Sequence, residues 1–141
     1  MSTRTVARRG KAVSVRETER TARLLQAITA ALEDMKAVNV KVIDVRGLTD
    51  VADTLIVASG TSDRHVRSIA ERIIEQAKTS GMRPLGTEGE REGEWVLVDL
   101  QDIVVHVMLP RVREFYALER LWDAGITQGA SEASAHAGHS S

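Results

Sequence analysis

The chain contains no cysteine, only two prolines, and few aromatic residues, 3% of its 141 positions. Without cysteine there can be no disulfide, no thiolate zinc site and no thiol nucleophile. That suits a reducing compartment, and a cytoplasmic location is expected. No apolar run is long enough for a secretory core or a membrane span, so a soluble protein is expected. Neither charge sign dominates, since the formal net charge is -1. No G-x-S-x-G elbow occurs, so a serine hydrolase triad is unsupported.

The charges that are present are unevenly spread. Residues 1–16 carry Arg4, Arg8, Arg9, Lys11 and Arg16 and no acid. This stretch reads as a disordered basic tail, and the same composition also suits a transit peptide or an RNA-touching arm. Beyond Ile126 the sequence is small and polar, and residues 126–141 read as a second disordered tail. The remaining segment, 17–125, has the length of one domain, and no internal repeat is visible.

Within it, Leu24, Leu25, Ile28, Leu32 and Met35 recur at three- and four-residue steps, which predicts a helix from Glu17 to Ala37. The alternating "VKVIDVRG" (40–47) and the apolar "TLIVASG" (54–60) predict strands. Residues 61–81 read as a second helix, with Thr61 or Ser62 as its cap, an apolar stripe from Val66 to Ala77, and Gly81 just beyond its end. "EWVLVDLQDIVVHVML" (94–109) predicts a hairpin turning near Leu100 to Asp102. Helices alternating with strands imply an α/β fold, a single small domain with a mixed β-sheet flanked by helices.

Strand alternation divides that hairpin into two faces. Val96, Val98, Leu100, Ile103, Val105 and Val107 form an aliphatic face suited to covering helices. The other face carries Trp95, Leu97, Asp99, Val104, His106 and Met108, with Asp99 and His106 hydrogen-bonded to each other or to backbone, or forming part of a site. An Asp/His pair can support acid–base chemistry. "SGTSDRH" between strand and helix can either hold a phosphate or simply start a capped helix. Magnesium-dependent nucleotide transfer needs two acids on one strand face, and Asp99 and Asp102 are separated by a turn. His65 and His106 are too isolated to nominate a metal site, and no cofactor is expected.

The last predicted helix, "REFYALERLWDAG" (113–125), holds three of the four aromatic residues. At about 100° per residue, Phe115, Leu118, Leu121 and Trp122 share a core stripe, whereas Tyr116 and Arg120 turn away. An exposed tyrosine beside an arginine is common at protein interfaces.

Three stretches together, "DTLIVASGTSDRHVRSIAERI", "EGEREGEWVLVDLQDIVVHVML" and "REFYALERLWDA", resemble the ribosomal silencing factor family, also called Iojap-related, from about Val40 to Ala124. The resemblance implies a degenerate nucleotidyltransferase-like α/β fold without enzymatic activity. It implies binding to the large ribosomal subunit through that subunit's protein number fourteen, which sterically blocks subunit joining when nutrients are scarce. A homodimer of the free protein is compatible with it, and no membrane or specific nucleic acid is implied as partner. Matched onto this chain, the family's motifs point to Glu88, Gly89, Trp95, Asp99, His106, Arg113, Phe115, Tyr116, Glu119, Leu121 and Trp122. The chain departs from the family at Thr54–Leu55, where an aromatic pair is usual, and at Leu100–Gln101, where Tyr–Gly is common. The alternative on the residues alone is a nucleotidyltransferase-like nucleotide-binding enzyme using Ser59–Ser62 and the Asp99/His106 face.

Overall fold

A computed structural model describes residues 5–8 and 11–121. Two short strands, β1 (Thr5–Arg8) and β2 (Lys11–Ser14), pair antiparallel. They fall where the charge pattern alone gives a disordered tail. Their register runs from Thr5 opposite Ser14 to Arg8 opposite Lys11. Helix α1 (Val15–Asp34) follows directly.

The main sheet has five strands: β3 (Val38–Asp44), β4 (Thr54–Ser59), β5 (Gly86–Glu88), β6 (Trp95–Asp99) and β7 (Ile103–Met108). Their order across the sheet is β3-β4-β7-β6-β5. Only β4 and β7 run parallel; the other three pairings are antiparallel. The mixed α/β sheet expected from the sequence is therefore present.

Helix α2 (Asp63–Thr79) crosses between β4 and β5. The Ser62 side chain caps it by accepting from the His65 amide at 3.0 Å, a bond type whose loss typically costs about 1 kcal/mol. At the other end the Met82 amide returns to the Ala77 carbonyl, and Gly81 takes φ 90°, the left-handed turn that ends many helices. His65 also links the two helices. Its Nδ1 accepts from the Thr61 amide at 2.9 Å, which leaves Nε2–H to donate to the Met35 carbonyl at 2.8 Å.

Both helices lie on one face of the sheet. Ile28 and Leu32 from α1, Ile69 and Ile73 from α2, and Ile56, Val96, Val98, Leu100, Ile103, Val105 and Val107 from the strands and hairpin turn form one buried core. Each such side chain contributes about 1.5–3 kcal/mol by leaving water. The aliphatic hairpin face is thus where alternation puts it, because β6 and β7 pair in the register Val96↔Val107 and Val98↔Val105. Gln101 and Asp102 make the two-residue turn, closed by the Leu100 amide donating to the Ile103 carbonyl at 2.8 Å.

The last helix departs from expectation. Helix α3 covers only Pro110–Tyr116, Ala117 is left-handed at φ 49°, and a 3-10 turn spans Leu118–Leu121. The reversal at Ala117 breaks the even 100° progression that puts Phe115 and Leu118 on one stripe. Leu118 does pack against the second face of the sheet. Phe115, however, is 80% exposed rather than core. Trp122 and the 126–141 tail lie outside the described residues.

Candidate functional site: an aromatic face beside the sheet edge

On the sheet face away from α1 and α2, Ile43, Val45, Leu55, Val57, Val104 and Met108 form a second, smaller core. Leu55, at a position where the family resemblance implies an aromatic, is part of this core. Toward β5 the cover ends, and the polar and aromatic residues singled out by the sequence appear.

Cross-strand pairing sets their positions. Glu88, Leu97, His106 and Val57 are successive partners across β5, β6, β7 and β4, so they point to the same side. Glu88 is exposed and Leu97 half-buried. Trp95, paired with Met108, stands one step along from Leu97 on that face. Its indole N–H donates to His106 Nδ1 at 2.9 Å, and the two rings lie 5.8 Å apart.

His106 is only 8% exposed. Burial pulls its pKa down from 6.5 to about 4, because the imidazolium would lose its hydration. With Nδ1 accepting from Trp95, the neutral ring carries its proton on Nε2. This histidine therefore holds the indole in place.

Two further rings extend the face outward. Tyr116 lies 5.0 Å from Trp95 at an interplanar angle of 49°, and Phe115 meets Tyr116 edge-on at 4.9 Å. These are the tilted arrangements that aromatic quadrupoles favour. Phe115 is 80% and Tyr116 54% exposed. Between α3 and β6 runs an open groove of about 430 Å³, lined by Glu94, Trp95, Arg111, Val112, Phe115 and Tyr116. Arg111 and Glu94 bridge its rim at 3.3 Å.

Gly89 supports the face from below. It takes φ 90°, and a Cβ there would lie 1.9 Å from the Trp95 carbonyl oxygen. Only a glycine lets the loop after β5 come so close to the Trp95 backbone.

The structure thus assembles Glu88, Trp95, His106, Phe115 and Tyr116 in one region. It places the other candidates elsewhere. Asp99 sits at the far end of β6, about 13 Å from Trp95 along the strand, where its Oδ1 accepts from the Gln101 amide at 2.9 Å and braces the turn. His106 bonds to Trp95, not to Asp99. Arg113 donates to the buried Ser59 hydroxyl at 3.0 Å and ties α3 to the end of β4. The backbone of Glu119 and Leu121 lies in the 3-10 turn, and their side chains lie outside the described residues. The sequence alone did not point to Val112 or the Arg111–Glu94 bridge, whereas strand alternation already put Leu97 on this face with Trp95 and His106.

The "SGTSDRH" turn is occupied by its own side chains. Around the start of α2, the Thr61 amide bonds to His65, the Arg64 amide to Asp63 Oδ1, and the His65 amide to Ser62. These donors are therefore engaged internally, and Asp63 adds a negative charge at the spot a phosphate would take. Among the described residues no cluster of three or more His, Asp or Glu could hold a metal ion, and no helix is long and apolar enough to cross a membrane.

Fold and site together define a small mixed-sheet α/β domain that presents an aromatic face at one edge. The family model described as "Ribosomal silencing factor during starvation" matches residues 18–140, and the chain belongs to that family. It is 46% identical over 92 residues to the ribosomal silencing factor of Chromobacterium violaceum, covering 65% of this chain and 75% of that one. With the Bacillus subtilis ribosomal silencing factor it shares 40% identity, over 70% of this chain and 84% of the other. A crystal structure of a Chromobacterium violaceum protein superposes with a TM-score of 0.70 at 42% identity, covering 72% of this chain and 84% of that chain.

Proposed function

We propose that this chain is a noncatalytic translation-silencing factor that docks on the large ribosomal subunit, through protein number fourteen, and blocks subunit joining by bulk. The observation that carries the reading is the exposed Phe115 and Tyr116 rings packed beside the half-buried Trp95. Rigid aromatic rings that stay in water in the free protein are the residue types that dominate protein–protein contacts. Family membership supplies the ribosomal context. The adjoining stretch Glu88–Glu94 holds four glutamates and one arginine, a charge that suits a basic ribosomal protein and disfavours nonspecific adhesion to RNA at this edge.

A steric blocker needs affinity and volume, with no group aligned on a reacting bond. The internally satisfied amides at the start of α2 support a noncatalytic reading over nucleotide transfer. A cytoplasmic location follows from the same proposal.

The test is pelleting with purified large subunits. Wild-type protein is expected in the pellet. Phe115→Ala combined with Tyr116→Ala should weaken binding at least thirtyfold, at about 2 kcal/mol for a single interface anchor. Wild-type protein left in the supernatant would sink the proposal, and undiminished binding of the double variant would remove the aromatic face from it.

A further inference from the structure

Helix α1 carries a second surface, distinct in chemistry from the aromatic face. Arg16, Arg20 and Arg23 follow an i, i+4, i+7 spacing. At ~100° and ~1.5 Å per residue they fall within about 60° of one another over about 10 Å of helix. All three are exposed. No hydrogen bond or ion pair engages them among the described residues.

Their placement works against helix stability. The N-terminal end of a helix is its positive end, and cations there are unfavourable. Arg16 lies in the first turn of α1 and Arg20 in the second. Arg4, Arg8, Arg9 and Lys11 precede them in the sequence, so residues 1–23 hold seven cations against Glu17 and Glu19. Such a concentration of cationic residues in the sequence suits an anionic partner.

We infer that the Arg16–Arg20–Arg23 ridge binds the phosphate backbone of RNA. Guanidinium forks match phosphate geometry, and the ridge's span fits two or three consecutive phosphates. None of the exposed large apolar residues lies on α1. The ridge therefore lacks the apolar anchor that a membrane surface or a protein interface uses. A phosphate-only contact carries no base sequence preference. Because α1 packs on the opposite side of the sheet from the aromatic face, the two surfaces can be engaged together.

The full chain is titrated against a fluorescently labelled 20-nucleotide RNA duplex by anisotropy over a range of salt concentrations. Replacing all three arginines by glutamine should reduce the steepness of log K against log salt by about two to three, and weaken binding at 0.1 M salt by at least about tenfold. The lysine triple variant, which keeps the charge, should retain most of the binding, and the glutamine variant should melt no earlier than wild type. Phe115→Ala/Tyr116→Ala protein should bind RNA like wild type, so this inference and the docking proposal fail separately. An unchanged salt slope in the glutamine variant overturns the inference. So does arginine-dependent binding to phosphatidylserine vesicles by a protein that ignores RNA.

Discussion

Acidification should destabilise this protein through His106, the residue that holds the Trp95 indole. The ring is buried and neutral, with its pKa near 4 in the folded chain and near 6.5 when the chain unfolds. Between those values the unfolded state binds more protons than the folded state. Stability from this group is therefore complete above pH 6.5 and is lost as pH falls through 4. The linkage integral gives a loss of about 1.4 kcal/mol by pH 5.5 and about 2.5 kcal/mol by pH 4.5. Protonated Nδ1 can no longer accept the Trp95 indole N–H, so the same pH change releases the ring that Tyr116 rests on. Urea unfolding at several pH values, for wild type and His106→Gln, separates this effect from the titration of carboxylates. Glutamine keeps an acceptor for the indole but does not titrate. The gap between the two proteins should close by the stated amounts on going from pH 7.5 to 4.5. Parallel stability curves would show that His106 is not held neutral by burial and would refute the reasoning.

Two substitutions probe the backbone that supports the face. Gly89→Ala puts a methyl group 1.9 Å from the Trp95 carbonyl oxygen at a positive φ, and should cost about 3 kcal/mol or more in urea unfolding, with a shifted Trp emission; a loss below 1 kcal/mol would count against the close approach. Gln101 holds φ 77° in the two-residue hairpin turn, a conformation that costs a side chain about 1–2 kcal/mol. Part of that gain is offset by glycine's greater freedom when unfolded, so Gln101→Gly should raise stability by about 0.5–1 kcal/mol, seen as a melting temperature a few degrees higher. A lower melting temperature would contradict the strained turn.

How much of this was legible beforehand depended on whether a local rule extended unbroken. The hairpin's two faces could be written from parity alone, because a tight turn of either position keeps the same residues together. Helices α1 and α2 were equally clear, since their apolar stripes run without interruption into the core. The final helix was not, because a helical wheel assumes one continuous helix and Ala117 reverses handedness after two turns. That reversal turns Phe115 from core into surface. The partner of His106 was ambiguous for a geometric reason. Its direct opposite is Leu97, so Trp95 and Asp99 are both diagonal neighbours two residues away. Local alternation cannot choose between them; the turn takes Asp99 by giving it the Gln101 amide, which leaves the indole to reach the imidazole. The β1–β2 pairing had no comparable signal, because the arginines and lysine of that stretch read by composition as a tail.

The proposed function requires an aromatic face that occupies the large subunit and so prevents joining. Light scattering after mixing small subunits with large subunits preincubated with the protein measures this directly. Wild type should suppress the rise in scattering in proportion to the large subunits it occupies, and the Phe115→Ala/Tyr116→Ala protein should leave the rise intact. Normal joining on large subunits saturated with wild-type protein would contradict the account.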